Sequence, residues 1–308
     1  MRYAVLFPGQ GSQYVGMGAD VFAARPDLLG AAASDELGWR LDSLCALGPE
    51  DELMQTDKAQ VAVYAVSYAL WEAFIDRAPH PPMGGAGHSL GEYTALAAAG
   101  AFSYRQGLKL VAARGAAMAA AGRENAGTMA AVMGSDLETI EAIVVDRRAA
   151  GGSLWVANVN APGQVVVAGA APDIAALTDQ ARDLGLRRVV PLKVSGAFHT
   201  PLMAGAQAEL DGALAAARFV AARFPIWTNL CAKPVADSAA ALSGQLVGRV
   251  RFSDSLTAIQ RAGAEAFIHI GPGEVTAGMA KRTVRGATVI TVSSLEDVGP
   301  AVERLALV

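Results

Sequence analysis

Residues 83–100 read MGGAGHSLGEYTALAAAG, and at their centre Gly87-His88-Ser89-Leu90-Gly91 forms a G-x-S-x-G pentapeptide. A chain that leaves a strand, turns sharply and enters a helix crowds its own backbone, and glycines two before and two after the serine relieve that crowding. The Gly-rich approach therefore reads as a short strand and the Ala-rich run as a helix, with Ser89 exposed at the helix start. There the positive end of the helix and the next backbone N–H face any charge that develops on an attacked carbonyl oxygen. Taken alone, the pentapeptide also fits a plain strand-to-helix turn that needs small residues.

Outward from this turn, strand and helix alternate. The apolar run Tyr3–Phe7 reads as a buried strand, and residues 8–18 as a Gly-rich loop leading into a helix. Residues 61–74 have helical spacing, with Val63, Val66, Leu70, Trp71 and Phe74 on one face, and Pro79, Pro81 and Pro82 stop that helix. Residues 92–99 and 104–121 are two further helices divided by Gly100. The rhythm then changes. Strand 129–133, helix 136–148, strands 154–158 and 164–168, helix 172–184 and strand 188–194 give the β-α-β-β-α-β order of a ferredoxin-like unit. Ser135 or Asp136 suits the first helix start, Pro172 a first helical turn and Gly185 a stop. Helix 202–217, strand 225–228, helix 254–261, strand 266–270 and strand 288–292 then resume a parallel α/β core.

The expected fold is thus α/β, a parallel-sheet unit over 1–126 and 196–308 with a smaller ferredoxin-like unit inserted at 127–195. With 308 residues, 53% of them hydrophobic, the chain can bury a sizeable core. The mean hydropathy of +0.31 derives largely from alanine, and no apolar run is long enough for a membrane span. Residues 1–7 run into Pro8-Gly9 too soon for the apolar region of a signal peptide. Cys45 and Cys231 are the two cysteines, too few for a disulfide framework, so a reducing cytoplasm is expected. A net charge of −4 and a pI near 5.6 give no footprint for nucleic acid.

A nucleophilic serine needs a base, and there are four histidines. His80 lies among prolines in a loop. His269 alternates with Phe267 in a strand, as a core histidine does, and His88 is adjacent to the serine and points elsewhere. His199, in the loop Gly196-Ala197-Phe198-His199-Thr200-Pro201, is the better candidate; a polar residue at a helix entry is the alternative. No acid stands where a hydrolase triad has one: Asp173, Asp179 and Asp183 read as solvated charges on a helix of the inserted unit. A Ser-His pair oriented by something other than a carboxylate is indicated. Pro8-Gly9-Gln10-Gly11-Ser12-Gln13 lacks the spacing of a phosphate loop but can offer a backbone N–H to an oxyanion. Arg114 interrupts a small, apolar helical stretch, so it is expected to be partly buried and to need an anion, either an acidic substrate group or an internal acid such as Glu92.

Together, Pro8 to Gln13, Gly87 to Tyr93, Arg114, Asn158-x-Asn160-x-Pro162-Gly163-Gln164, Gly196 to His199 and Gly271-Pro272-Gly273 resemble, in order and spacing, the malonyl-CoA:acyl carrier protein transacylases. The resemblance spans nearly the whole chain. It implies an α/β-hydrolase-like larger subdomain with a ferredoxin-like insert. It further implies Ser89 as nucleophile, His199 as base and acid, the N–H groups of Gln10 and Leu90 as oxyanion hole, and Arg114 as the carboxylate clamp. The main-chain carbonyl of Gln245 would orient the histidine. Arg249 and Phe252 stand where the family has Pro and Trp, and residues 83–86 are poorer in β-branched residues than the family's strand. Phe198 resembles malonyl-selective members.

The implied activity is ping-pong transfer of malonyl from malonyl-CoA to the phosphopantetheine thiol of an acyl carrier protein, for fatty acid or polyketide synthesis. No bound cofactor or metal is implied, and a monomer is usual in the family. The acidic carrier would dock on a basic cluster, Lys281, Arg282 and Arg285 or Arg182, Arg187 and Arg188, each of which also reads as a solvated charged face. A serine hydrolase and a catalytically idle binding subunit are the rival readings.

Overall fold

The computed structural model describes residues 1–306. Strand β1 (Tyr3–Phe7) is followed by five short helices, α1 (Ala19–Ala24), α2 (Pro26–Leu29), α3 (Ala31–Leu37), α4 (Leu41–Leu47) and α5 (Glu50–Leu53), and then by the long α6 (Thr56–Ile75). Next come β2 (Gly84–Gly87), α7 (Gly91–Ala98) and α8 (Tyr104–Glu124). A second group comprises β3 (Gly127–Met133), α9 (Leu137–Ala149), β4 (Leu154–Ala161), β5 (Gln164–Ala170), α10 (Ala171–Asp179) and β6 (Arg188–Pro191). A 3-10 turn at Pro201–Met203 leads to α11 (Ala204–Ala216), α12 (Ser238–Val247), α13 (Phe252–Arg261), β7 (Ala266–Ile270), α14 (Val275–Thr283), β8 (Thr288–Val292) and α15 (Val298–Ala306).

One sheet is parallel, in the order β2-β1-β7-β8. Every residue of β1 and β7 is buried, as expected of parallel strands with helices on both faces, and this is why YAVLF and AFIHI are nearly continuous apolar runs. β2 reads GGAG for a different reason. A Cβ on Gly84 would enter the Trp227 ring, one on Gly85 would press on Val5, and one on Gly87 would collide with the backbone of Gly91. The strand is a place where neighbours approach its backbone closely, so β-branched residues cannot serve there.

The other sheet is antiparallel, in the order β4-β5-β3-β6, with α9 and α10 on one face. In sequence order its strands lie 2-3-1-4, the arrangement of a ferredoxin-like unit. Alternation sorts its residues: Ala130, Val132, Val165 and Val167 pack under Ile140, Val144, Ile174 and Leu177. Met129, Ala157, Val166 and Ala168 point the other way and join the main core, so the small unit is packed onto the large one. Each of the valines, isoleucines, leucines and methionines among them contributes about 1.5–3 kcal/mol on full burial. A backbone tie reinforces the packing, since Val159 N–H donates to the Val250 carbonyl and Val250 N–H to that of Ala157, both at 2.8 Å.

Several expectations need correction. Residues 225–228 are not a strand; they make only isolated bridges, Gly85 to Ile226 and Trp227 to Pro234, because Pro225 and the turn after Thr228 end the pairing. The helix read over 172–184 ends at Asp179 and continues as turns to Gly185, and the strand read to 194 stops at Pro191. Asp173 is not solvated. It is buried, pairs with Arg147 and accepts from Ser153 N–H at 2.7 Å, closing the small unit's own structure. Among the described residues no helix is long and apolar enough to cross a membrane.

Candidate active site

At the turn between β2 and α7, Ser89 adopts φ 51°, a left-handed conformation that a non-glycine residue holds only when its surroundings impose it. A Cβ at Gly91 would strike the carbonyl of Phe7, and one at Gly9 the carbonyl of His88. The two flanking glycines thus let the elbow sit against β1 and the loop that follows it. Asn229 fixes the turn: its Oδ1 accepts the Ser89 N–H at 2.7 Å and its Nδ2 donates to the Gly87 carbonyl at 2.6 Å. Nothing in the sequence marked Asn229, an isolated asparagine directly after the residues read as a strand over 225–228.

His199 also has a positive φ, 61°, in the loop before the 3-10 turn, and its Nε2 lies 2.7 Å from Ser89 Oγ. Its Nδ1 lies 2.9 Å from the Gln245 carbonyl oxygen. With Nδ1–H donating to that carbonyl, Nε2 is left to accept the serine proton. The carbonyl belongs to the last turn of α12, where backbone oxygens lack helical partners and the helix dipole is negative. A helix end thus occupies the place that an aspartate takes in a triad, and Arg249 and Phe252 downstream do not disturb it. Burial pushes the imidazole down to about 3, with the nearby Arg114 charge adding to the effect, so the resting His199 is neutral and its Nε2 carries a lone pair toward the serine.

Arg114 is buried on α8. Its Nη2 lies 3.0 Å from Ser89 Oγ and 3.0 Å from Gln245 Oε1, and its Nη1 lies 2.6 Å from Gln60 Oε1. It makes no ion pair with Glu92: among the described residues no carboxylate reaches it within 4.0 Å. The Gln245 amide stands between the two, donating to Glu92 Oε2 at 2.8 Å. Arg114 Nε has no acceptor, and burial lowers the pKa of the guanidinium from its ordinary value. A buried cation held by amide oxygens, a hydroxyl and the face of the Tyr93 ring, 5.5 Å from its centre, suits an incoming carboxylate.

Leu90 and Gln10 flank the serine from two chain segments. Leu90 is the residue before α7, and among the described residues neither its N–H nor that of Gln10 donates to another backbone group. The Gln10 side chain is tied to Thr56 Oγ1 at 3.3 Å and to Gln60 at 3.4 Å, which holds the loop in place beside Arg114's own partner. His88 turns away and hydrogen-bonds Asn160 Oδ1 at 2.7 Å, linking the elbow to the small sheet. His269 is a satisfied core histidine, bonded to Thr276 and the Gly271 carbonyl, and His80 is exposed in its loop. A cavity of about 570 Å3 reaches His199 between the two units, with Trp155, Arg148, Val247 and Arg249 in its walls. Another, of about 460 Å3, reaches Gln10 past Lys193 and Arg123.

This geometry can run acyl transfer through a serine ester, with a preference for acyl groups that end in a carboxylate. Comparison with known proteins agrees. The acyl transferase domain family matches residues 5–300. The malonyl CoA-acyl carrier protein transacylase of Bacillus subtilis (strain 168) is 37% identical over 309 residues, covering 99% of this chain and 97% of the relative. The solved structure of an acyl-carrier-protein S-malonyltransferase from Burkholderia pseudomallei superposes with a TM-score of 0.92 at 37% identity, covering 98% of this chain and 100% of that one. A malonyl-transacylase solved in complex with its type II PKS acyl-carrier protein gives a TM-score of 0.93 at 35% identity over 99% of this chain and 100% of that one. The chain therefore belongs to the acyl transferase domain family and, within it, to the malonyl-CoA:acyl carrier protein transacylases.

Proposed function

We propose that this acyltransferase moves the malonyl group of malonyl-CoA to the phosphopantetheine thiol of an acyl carrier protein through a malonyl ester on Ser89, supplying fatty acid or polyketide synthesis. The observation that carries the reading is Arg114, a buried guanidinium without a carboxylate partner among the described residues, 3.0 Å from the candidate nucleophile. Ser89 Oγ attacks the thioester carbonyl as its proton passes to His199 Nε2. The resulting oxyanion is received by the N–H groups of Gln10 and Leu90, each contributing about 3 kcal/mol. His199 returns the proton to the departing CoA sulfur. The carrier's thiol then gives its proton to His199 and attacks the ester, and Ser89 leaves with that proton restored. Arg114 grips the malonyl carboxylate throughout, and the Gln245 carbonyl keeps the imidazole in the required tautomer. No cofactor enters any step.

A serine hydrolase would use water in the second half. The proposal expects malonyl to appear on the carrier thiol and free malonate to form far more slowly when the carrier is withheld. Malonate release without acceptor at the rate of acceptor turnover would instead assign the chain to hydrolysis.

For docking, the acidic carrier is proposed to use a basic face near the cleft between the two units. Lys281, Arg282 and Arg285 are exposed on and after α14, and Arg182, Arg187 and Arg188 are exposed at the edge of the small sheet. Reversing the charges at both clusters is expected to raise the KM for the carrier about tenfold while leaving serine loading from malonyl-CoA largely intact. An unchanged carrier KM would remove both clusters from the docking surface. A monomer acting in the cytoplasm completes the proposal, and the unpaired Cys45 and Cys231 suit a reducing compartment.

A further inference from the structure

Glu92 is fully buried in the first turn of α7, yet the transfer steps above do not use it. Its Oε2 accepts two hydrogen bonds, from Asn229 N–H at 3.0 Å and from Gln245 Nε2 at 2.8 Å. Those two residues are the ones that hold the site. Asn229 braces the backbone on both sides of the elbow. Gln245 gives its carbonyl to His199, its Oε1 to Arg114 and its Nε2 to the Ser89 carbonyl at 2.9 Å as well as to Glu92. The other carboxylate oxygen, Oε1, is buried without a partner, so the group's position is set wholly from one side.

The arrangement guanidinium–amide–carboxylate has a definite electrostatic meaning. A carboxylate touching Arg114 directly would fill the fork and would have to be displaced by an acyl carboxylate. Held one amide away, Glu92 still balances the buried positive charge through the polarised Gln245 amide, and the fork beside Ser89 is met by neutral groups that an acyl carboxylate can replace. Its charge nevertheless opposes a second carboxylate arriving at the same arginine. We infer that Glu92 is a positioning residue whose buried charge, transmitted through the Gln245 side chain, tempers how strongly Arg114 favours a carboxylate-bearing acyl group over an uncharged one.

This inference rests on the carboxylate clamp proposed for Arg114. The charged or titratable groups acting on Glu92 are Arg114 from α8 and Tyr93 beside it on α7, while α12 and the loop before it present the neutral Gln245 and Asn229. β1 and β2 carry no charged residue, and among the described residues none from α6 pairs with it. Burial raises its carboxyl to about 7, against which Asn229, Gln245 and Arg114 work. Below that pH it is protonated, Arg114 is uncompensated and malonyl is favoured. Above it the carboxylate is ionised and the preference relaxes. Tyr93 ionises far above this window and His199 far below it.

The test is a competition between malonyl-CoA and acetyl-CoA for Ser89, read by intact mass on the full chain. In the unmodified protein the malonyl-to-acetyl loading ratio should fall several-fold as pH rises from 6 to 8.5. The malonyl carboxylate remains ionised across that range, so it cannot cause the change. Glu92→Gln keeps an oxygen for both donors and removes the charge, and it should raise the ratio about fivefold at pH 8 and flatten its pH dependence. Because the ratio is measured within one sample, partial unfolding of the variant does not alter it. A ratio that is flat with pH in the unmodified protein, or unchanged or lowered in Glu92→Gln, overturns the inference. Arg114→Ala run alongside separates the two ideas: if it leaves the ratio untouched the clamp itself fails, whereas a collapsed ratio there with no effect in Glu92→Gln rejects Glu92 alone.

Discussion

Ser89→Ala is expected to form no malonyl adduct and to transfer malonyl to the carrier on the order of 10⁵-fold more slowly, or worse. Removing the nucleophile of a serine acyl-transfer site costs about that much, since what remains is substrate binding and the oxyanion donors. The structure gives the substitution a clean outcome. Oγ is the single atom of residue 89 that reaches His199 and Arg114, whereas the backbone of the elbow is held by Asn229 and Gln245. The fold should therefore survive with its melting temperature little changed. His199→Ala should lose a comparable amount, and the double variant should be scarcely slower than either single one, because two groups that act as a unit are lost together. A malonyl adduct in Ser89→Ala, or losses that multiply in the double variant, would show that the ester forms elsewhere.

Arg114→Ala should reduce malonyl loading by about 10² to 10³-fold, the range expected when one partner of a buried charge pair is truncated. Acetyl loading should fall far less, and equal losses for the two acyl groups would reject the clamp. Arg114→Lys should recover only part of the difference. An ammonium is a point charge and cannot serve Gln60, Gln245 and an acyl carboxylate from one rigid plane. Arg114→Ala also leaves the oxygens of Gln60 and Gln245 without their donor, so some loss of stability accompanies it. The malonyl-to-acetyl comparison isolates the role in selectivity from that cost.

Much of this was legible in the residues themselves. Buried parallel strands announce themselves as continuous apolar runs, and the small sheet's inward and outward residues alternate, so YAVLF, AFIHI and the 127–191 region were readable. The pentapeptide and the loop around His199 stood out because glycines and a histidine interrupt apolar surroundings. Other features were hidden for physical reasons. β2 carries no strand-like side chains because Trp227, Val5 and Gly91 occupy the space. The five helices between Ala19 and Leu53 are too short to show a period. α12 is small and mixed in character, and its importance lies in where it ends. The partners of Arg114 come from three remote segments, α6, the elbow and α12, and no local pattern predicts that Gln60 and Gln245 converge on it. Glu92 and Asn229 belong to the same class: their roles are relations between segments rather than properties of a motif.

The peptide carbonyl under His199 has a consequence for how such a site tolerates change. A triad aspartate is one codon away from failure, but a carbonyl at the end of a helix is supplied by every residue type. An alanine scan passing through position 245 would disturb the wiring to Arg114 and Glu92 and leave the histidine's support in place. Drift in the neighbouring sequence, as at Arg249 and Phe252, is absorbed while α12 stops at the same point. The heritable element at this position is the length of a helix.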